Sequence, residues 1–233
     1  MRTVAVVLAG GSGLRLGGTT PKQLQSLGGR TLLEHSVAAF ERAPGVDDIV
    51  VVMSAGLVSE AERILGRDYR KVSNIIVGGA DRPGSTRHAI DLLSSGPDCN
   101  VLFHDAARPL VDQRIIADCV AGLQECQALG VVVPSTDTIV QLADGVMISI
   151  PPRQSLGRCQ TPQGFRLSVI RRAYDLAAAD PDTAEFSPTD DCAMVLRYLP
   201  EVEVRVVAGN ERNIKITHPG DLRMAEAALA DAG

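Results

Sequence analysis

Apolar runs rich in Val and Ile recur along the chain and alternate with stretches that carry apolar residues at helical spacing. Short, continuous apolar runs are typical of parallel strands that are buried on both faces. They predict strands at Val4–Leu8, Ile49–Met53, Asn74–Val77, Val101–His104 and Val131–Pro134. The helical spacing predicts helices at Thr31–Arg42, Val58–Leu65, Ser85–Leu93 and Gln113–Ala128.

This alternation predicts an α/β protein with a Rossmann-like, doubly wound and mostly parallel sheet, covered by helices on both faces. Two local signals support the helix boundaries. Thr31 followed by Glu34 three residues later is a capping-box pattern. Asp112 is a suitable N-cap for the long helix that follows it.

The alternation stops near residue 135. Polar and apolar residues then alternate around Asp144-Gly145, a dipeptide that favours a tight turn. This pattern predicts a β-hairpin arm that projects from the sheet at about 135–158, within a single domain over 1–233. Beyond the arm we predict a helix at about Arg166–Ala178, a short helix at Asp191–Tyr198, a strand at Val202–Val207 and a last helix at Pro219–Leu229.

Composition narrows the class of protein. The 23 basic and 28 acidic residues give a formal net charge of −5, the opposite sign to most nucleic-acid-binding domains. The five cysteines show no C-x-x-C spacing, so neither a disulfide framework nor a zinc site is indicated. We expect a soluble, cytoplasmic protein that binds neither nucleic acid nor membranes, because no leader pattern and no apolar run of membrane-spanning length is visible.

The first predicted strand leads into a glycine-rich loop, Leu8-Ala9-Gly10-Gly11-Ser12-Gly13-Leu14-Arg15, followed by Pro21-Lys22. Ligands of open α/β sheets bind beyond the carboxyl ends of the strands. Glycines allow the backbone to approach a ligand closely, and successive free N–H groups can cradle a phosphate. With Arg15 and Lys22 beside it, the loop predicts a phosphate site rather than a solvated turn. The spacing is neither G-x-G-x-x-G nor a Walker loop.

A-G-G-x-G-x-R followed by P-K resembles the opening motif of sugar-phosphate nucleotidyltransferases. Further segments resemble the 2-C-methyl-D-erythritol 4-phosphate cytidylyltransferase family over essentially the whole chain, and ribitol-5-phosphate cytidylyltransferases share them. These segments are Gly78-Gly79-Ala80-Asp81-Arg82 with Ser85, His104-Asp105-Ala106-Ala107-Arg108-Pro109, Gln160-Thr161-Pro162-Gln163 and Asn213-Ile214-Lys215-Ile216-Thr217.

The resemblance implies a role for each matching position. The CTP-binding loop would comprise Ala9, Gly10, Gly11, Gly13, Arg15 and Lys22. Gly79 and Ser85 would recognise the cytosine and its ribose, and Asp105 would contact both the nucleotide and the acceptor rather than cap a helix. Arg15, Lys22 and Lys215 would be the catalytic cations, with a Mg²⁺ ion held mainly by the CTP phosphates and no metal ligand from the protein.

The resemblance also implies an acceptor site formed by Arg108, Thr138 and Arg153. Thr138 and Arg153 lie in the predicted arm, which in this family swaps across a homodimer to complete the neighbouring active site. The implied reaction is transfer of CMP from CTP to a polyol phosphate in isoprenoid precursor synthesis, with release of pyrophosphate.

The chemistry of the implied reaction fits the residue types. The acceptor phosphate is already ionised at neutral pH, so the reaction needs charge neutralisation and positioning more than a base. His104 is accordingly expected to be structural, and Asp190 and Asp191 to be helix N-terminal caps rather than metal ligands. Only three lysines accompany twenty arginines, and two of them, Lys22 and Lys215, match family positions. We therefore hypothesise that Arg cannot replace them.

Several departures from the methylerythritol pattern leave the acceptor open. The loop reads Leu-Ala-Gly-Gly, and both Asp137–Val140 and Ile150–Arg153 look closer to the ribitol 5-phosphate branch. Methylerythritol phosphate is favoured, with ribitol 5-phosphate as the alternative. A non-catalytic nucleotide-binding protein is a second alternative, and a dinucleotide-dependent oxidoreductase a third that lacks its fingerprint.

Overall fold

The computed structural model describes residues 1–11, 20–66, 68–182, 186, 188 and 190–230. Strands run over Thr3–Ala9 (β1), Ser26–Leu27 (β2), Arg30–Thr31 (β3), Asp48–Met53 (β4), Val72–Val77 (β5), Asn100–Asp105 (β6), Ala128–Pro134 (β7), Gln141–Ala143 (β8), Val146–Ser149 (β9), Gly157–Arg166 (β10) and Val204–Ala208 (β11). Helices run over Leu32–Glu41 (α1), Val58–Leu65 (α2), Arg82–Leu93 (α3), Gln113–Glu125 (α4), Leu167–Ala179 (α5), Asp191–Tyr198 (α6) and Pro219–Ala230 (α7).

Seven strands form the central sheet, in the order β11-β7-β10-β6-β1-β4-β5. All neighbouring pairs are parallel except those of β10, which is antiparallel to both β6 and β7. The predicted doubly wound, mostly parallel α/β sheet is therefore confirmed.

Each face of the sheet carries its own apolar core. Ala5, Val7 and Ala9 of β1 pack with α1, α2 and α4 on one face. The alternate residues of β1, such as Val4 and Val6, pack with α3, α5 and α6 on the other. Burial on both faces explains why β1 is apolar from Val4 to Ala9, since each of these side chains meets a helix layer.

The predicted helix signals are confirmed. Thr31 accepts a hydrogen bond from the Glu34 N–H, and the Glu34 carboxylate accepts one from the Thr31 N–H, which completes the capping box of α1. Asp112 caps α4 by accepting from the Ile115 N–H. At the other end α4 stops at Glu125, so Ala128, predicted as helical, instead begins β7.

Residues 135–158 are only partly a hairpin. β8 and β9 pair around Asp144 and Gly145, whose positive φ angles of 49° and 78° suit the predicted tight turn. Gly157 and Arg158, however, belong to β10, which pairs with β6 and β7 within the central sheet. The projecting segment therefore ends before Gly157, slightly ahead of the predicted boundary at about residue 158.

The hydrophobic pattern of the sequence did not predict β10 as a strand. Its buried stretch carries Gln160, Thr161 and Gln163 in place of an apolar run, and Pro162 lies at a break in its register with β7. The described helices include none with the length and apolar character that crossing a bilayer requires. All five cysteines are free thiols.

Candidate active site

A cavity of about 740 Å³ opens at the carboxyl ends of β1, β4 and β6. Its volume is in the range of small-molecule sites, and its position at this edge of the sheet is the one expected for an open α/β fold. Seven predicted site residues line it, namely Ala9, Gly10, Gly11, Lys22, Ser85, Asp105 and Lys215. Gly13 and Arg15 lie outside the described residues.

The two described glycines of the loop differ in what surrounds them. A Cβ atom on Gly10 would lie 3.1 Å from the Ser85 Oγ, so this glycine permits close packing against α3. A Cβ on Gly11 would meet nothing within 4 Å. The Ser54 hydroxyl donates a hydrogen bond of 2.9 Å to the Gly10 carbonyl and ties the loop to the end of β4. The backbone is thus held at Gly10 and open to the cavity at Gly11.

Lys22 and Lys215 come from opposite ends of the chain and meet at this cavity. The Lys22 ammonium group donates a hydrogen bond of 2.9 Å to the carbonyl of Ile216. The Lys215 ammonium group lies 2.7 Å from the Asp105 carboxylate, and its side chain is 40% exposed. The segment that carries Lys215 is held in place by the Ile216 N–H, which donates to the Ala107 carbonyl.

Asp105 ends β6 and lies between two cations. Its carboxylate contacts the Arg82 Nε at 3.2 Å and the Lys215 Nζ at 2.7 Å. Burial alone would raise the pKa of this carboxyl, but Arg82 and Lys215 hold the pKa well below its usual range. Asp105 caps no helix in the described structure, because it is followed by a turn and its own N–H bonds to the Thr161 hydroxyl.

His104 is buried behind Asp105, as its expected structural role requires. The Thr161 hydroxyl accepts from the Asp105 N–H, so its proton points to the His104 Nδ1 at 3.0 Å, and the His104 Nε2 donates to the Arg108 carbonyl. Both contacts suit the neutral ring. Burial lowers the pKa of His104 to about 4. His104 is therefore neutral at physiological pH, and it does not line the cavity.

Gly79 and Ser85 are close together but differ in exposure to the cavity. Ser85 lines it and donates its hydroxyl hydrogen to the Asp81 carbonyl at 2.8 Å. Gly79 is not among the lining residues, and a Cβ there would lie 2.5 Å from the Gly84 carbonyl carbon. A glycine is thus needed at position 79 so that the loop can pack on the first turn of α3.

Arg108 also lies outside the cavity lining. Its guanidinium group donates to the Asn213 carbonyl at 2.7 Å and to the Cys159 carbonyl at 3.2 Å. These bonds join β10 to the segment that carries Lys215. In this single chain Arg108 therefore supports the site from behind.

Thr138 and Arg153 lie together in the arm, away from the cavity. The Arg153 guanidinium group donates to the Thr138 hydroxyl at 3.2 Å, and both residues are exposed. The structure thus brings seven of the predicted site residues together in one cavity but does not bring Thr138 and Arg153 to it.

The adjacent acidic residues at the start of α6 have different roles. Asp190 caps the helix, as predicted, by accepting from the Ala193 N–H. The prediction that Asp191 is also a cap is wrong. Its side chain is fully buried, accepts a hydrogen bond of 2.7 Å from the Tyr174 hydroxyl and lies 2.9 Å from the Arg82 Nη2. Within the described ranges, no group of three His, Cys, Asp or Glu side chains could hold a metal ion.

Several residues of the cavity wall carried no predicted role. Arg82 stood in a quoted motif, but its contacts with Asp105 and Asp191 could not be foreseen from its neighbours in the sequence. Ser54 and Thr217 also line the cavity. Ser54 directly follows β4, and a polar residue at the end of a buried strand was the available signal.

The fold and the cavity, with its glycine loop and two lysines at the carboxyl edge of the sheet, are those of an α/β nucleotidyltransferase. Comparison with known proteins makes the class more specific. The model of the 2-C-methyl-D-erythritol 4-phosphate cytidylyltransferase family matches residues 3–231. The chain belongs to this family and is therefore a CTP-dependent cytidylyltransferase.

Individual relatives agree with this assignment. The chain is 54% identical to the 2-C-methyl-D-erythritol 4-phosphate cytidylyltransferase of Thermobifida fusca over 98% of this chain and 93% of that protein. The crystal structure of 4-diphosphocytidyl-2C-methyl-D-erythritol synthase from Anaerococcus prevotii superposes with a TM-score of 0.85 at 26% identity, covering 98% of this chain and 96% of that one. The bifunctional ribulose 5-phosphate reductase/CDP-ribitol pyrophosphorylase of Haemophilus influenzae is 38% identical over 97% of this chain, which covers 48% of that protein.

Proposed function

We propose that the protein transfers CMP from CTP to the phosphate of 2-C-methyl-D-erythritol 4-phosphate, giving 4-diphosphocytidyl-2-C-methyl-D-erythritol and pyrophosphate. The observation that carries this proposal is the meeting of Lys22 and Lys215 with the Gly10–Gly11 loop around one cavity. A site that joins two phosphorylated substrates needs fixed cations at this position, because the reactants repel each other.

The identity of the acceptor rests on the relatives. The relative named for methylerythritol phosphate is 54% identical to this chain, whereas the one named for CDP-ribitol is 38% identical. The sequence features that look closer to the ribitol branch, around Asp137–Val140 and Ile150–Arg153, include the proposed acceptor residues Thr138 and Arg153 and are the reason for keeping ribitol 5-phosphate in the test. We therefore retain methylerythritol phosphate as the acceptor and ribitol 5-phosphate as its competitor.

In the proposed reaction an oxygen of the acceptor phosphate attacks the α-phosphorus of CTP. A new phosphorus–oxygen bond forms, the bond from the α-phosphorus to the bridging oxygen breaks, and pyrophosphate leaves with that electron pair. The nucleophile needs no base, since the second pKa of a phosphate monoester is about 6. His104, buried and neutral, has no part in the step.

The cations would act by stabilising charge as it moves from the nucleophile to the leaving group. Fixed positive groups that surround a reacting phosphate act most strongly in the transition state, where the charge is spread most widely. Lys22 and Lys215 are suited to this role, since an ammonium group on a flexible stem can follow moving oxygens. Arg15, which matches the same family motif, would contribute a third cation.

A Mg²⁺ ion would neutralise part of the triphosphate charge and polarise the α-phosphate when CTP is bound. The carboxylates that line the described cavity are Asp81 and Asp105. Asp81 is already the N-cap of α3, and Asp105 is held by Arg82 and Lys215. This limited set of protein oxygens supports an ion held mainly by the phosphates of the nucleotide.

We also propose that the acceptor half of the site is completed in a homodimer. Six large apolar side chains of the arm, Ile139, Leu142, Val146, Met147, Ile148 and Ile150, are between 43% and 64% exposed. Such a concentration of exposed apolar residues on a two-stranded arm favours burial against a protein surface. In the dimer, Thr138 and Arg153 would reach the cavity of the neighbouring subunit. Five free thiols support a reducing, cytoplasmic setting.

The test is a pyrophosphate-release assay that combines CTP, UTP or ATP with methylerythritol phosphate or ribitol 5-phosphate. We expect turnover with CTP and methylerythritol phosphate, at a kcat/KM well above that of any other pair. Preference for ribitol 5-phosphate would contradict the proposed acceptor, and turnover with UTP but not CTP would contradict the proposed base.

A further inference from the structure

Four charged side chains form a continuous row that begins behind the cavity and ends within it. The Asp191 carboxylate lies 2.9 Å from the Arg82 Nη2, the Arg82 Nε lies 3.2 Å from Asp105, and Asp105 lies 2.7 Å from the Lys215 Nζ. The two ends of the row differ most in side-chain exposure, which is 0% at Asp191 and 40% at Lys215, with 21% at Arg82 and 11% at Asp105 between them. Arg82, Asp105 and Lys215 line the cavity, whereas Asp191 does not.

Asp191 is held rigidly by neutral partners from the sheet and from α5. The Gln163 side-chain oxygen, on β10, accepts hydrogen bonds from the N–H groups of Asp191 and Cys192 at 2.9 Å and 3.1 Å. The Tyr174 hydroxyl donates to the Asp191 carboxylate at 2.7 Å. The position of this carboxylate is therefore set by the fold, independently of anything bound in the cavity.

Arg82 is shared between the two carboxylates. Burial would lower the pKa of its guanidinium group, but Asp191 and Asp105 together raise the pKa, so that Arg82 stays charged. The four charges of the row sum to zero. Because Asp191 takes part of the charge of Arg82, Asp105 is left with negative charge that holds Lys215.

We propose that Asp191 is a positioning residue for the transfer reaction, acting through Arg82 to keep the Asp105 carboxylate available to Lys215. This inference rests on the proposed function and adds a residue that touches neither substrate. Without the charge of Asp191, the whole charge of Arg82 would fall on Asp105. Asp105 would then turn toward Arg82 and hold Lys215 less firmly.

The proposal predicts that loss of Asp191 lowers turnover without weakening CTP binding. Removing one negative charge behind the cavity makes its field more positive, so binding of the CTP polyanion is not weakened. Turnover falls, because Lys215 is no longer held where charge develops, and small misplacements of such groups reduce rates strongly. A merely structural role would instead lower stability and weaken CTP binding together with turnover.

The experiment compares Asp191→Asn with the matched control Asp190→Asn. Both variants remove one charge at the same helix end, and Asn remains a good N-cap at position 190. For Asp191→Asn we expect kcat to fall about tenfold or more, with the KM for CTP and the calorimetric Kd for CTP unchanged or lower. Asp190→Asn is expected to retain the wild-type kcat.

A double-mutant cycle then tests whether Asp191 acts through Arg82. Adding Asp191→Asn to an Arg82→Gln variant is expected to change kcat by less than about twofold, since the intermediary is already absent. If Asp191→Asn does not fold, Asp191→Glu keeps the charge but displaces it, and is expected to reduce kcat with an unchanged KM for CTP.

Three results would overturn the inference: a wild-type kcat in Asp191→Asn, equal losses in both Asn variants, or a fall in kcat accompanied by weaker CTP binding. An undiminished effect of Asp191→Asn in the Arg82→Gln background would show that it does not act through Arg82. The wild-type protein in the same assay separates this outcome from failure of the proposed function, because inactive wild-type protein with all acceptors contradicts the function itself.

Discussion

The cavity and the arm differ in how completely one chain builds them. At the cavity, charged groups from β6, α3 and the segment before α7 are paired with one another and mostly buried. In the arm, Thr138 and Arg153 share one exposed hydrogen bond beside apolar side chains that face solvent. One chain thus builds the cavity completely and leaves the proposed acceptor residues of the arm exposed and away from it.

The physical reason for the difference is the cost of burying charge. A buried carboxylate without a partner is strongly destabilising, so the cavity charges must be paired before any ligand arrives. Exposed residues of the arm carry no such desolvation penalty, so they need no partner until another protein surface covers them. We therefore expect substitutions at the cavity lysines to change turnover and substitutions in the arm to change acceptor binding.

The largest effect is expected from replacing the cavity lysines by arginine. Lys22→Arg and Lys215→Arg should each lower kcat about 100-fold or more. A planar guanidinium group would replace an ammonium group that must follow the reacting oxygens. Steady-state pyrophosphate release measures the loss. Calorimetry with CTP shows whether ground-state binding survives.

The third lysine provides a matched control for this prediction. Lys71 donates to the Ala43 carbonyl at 2.7 Å, much as Lys22 donates to a carbonyl, but it does not line the cavity. Lys71→Arg should therefore leave kcat within about twofold of the wild-type value. Full turnover by Lys22→Arg or Lys215→Arg would refute the hypothesis that these positions require lysine.

A second effect, on stability, is expected from His104 behind the cavity. Its pKa in the folded protein is about 4, below the value of about 6.5 for an unfolded chain, so between these values the unfolded chain binds more protons. The associated stability is present above about pH 6.5 and is lost as the pH falls toward 4, a loss of about 3 kcal/mol.

Urea unfolding at pH 7 and pH 4 measures this contribution. His104→Gln should be less stable than the wild type at pH 7, because a well-packed ring is replaced. Its further loss on going to pH 4 should be smaller than that of the wild type by about 3 kcal/mol. Identical losses in both proteins would mean that His104 is not held neutral by the fold.

The smallest effect is expected from the arm. Arg153→Ala should raise the KM for the acceptor about tenfold and leave the Kd for CTP unchanged, since the arm lies apart from the cavity. Arg172→Ala is the control, because Arg172 is an exposed arginine whose partner is Glu201 on the surface. An equal change in both variants would remove the case for Arg153 as an acceptor residue.

Mixing two defective variants tests whether the arm serves its own cavity or that of a neighbour. Subunits with Lys215→Arg and subunits with Arg153→Ala, unfolded and refolded together, would form mixed dimers. If the arm is swapped, one site of each mixed dimer combines an intact cavity with an intact arm, and about a quarter of all sites regain activity in a random mixture. No recovery would indicate an arm that serves its own subunit.

Much of the fold could be predicted from the sequence because its signals are local. The parallel strands read as continuous apolar runs, and the Asp144-Gly145 turn and the Thr31 capping box depend on residues only a few positions apart. β10 gave no such signal. Its polar side chains are buried because partners from distant segments satisfy them. The Asn213 amide donates to the Gln160 side-chain oxygen, and the Cys192 N–H donates to the Gln163 side-chain oxygen.

The site residues likewise divide into those with a local sequence signal and those whose partners are distant in the sequence. The glycine loop and the two lysines were found through motifs, and the cavity brings the described members together. Asp191 was predicted as a helix cap because an acidic residue at a helix start usually is one. Its actual partner, Arg82, lies on another helix across the fold, and a pairing between distant elements cannot be inferred from one sequence.

The position of β10 in the central sheet also determines where the chain tolerates changes in length. An inserted residue between Ser149 and Gly157 would change the connection from the arm but leave the pairing of β10 intact. An inserted residue just after Gln163 would reverse which face each following side chain occupies, because strand residues alternate between faces. Phe165 would then leave the core that it fills between α5 and β6. The fold thus tolerates insertions in the connection before β10, whereas insertions within the second half of β10 disrupt the core.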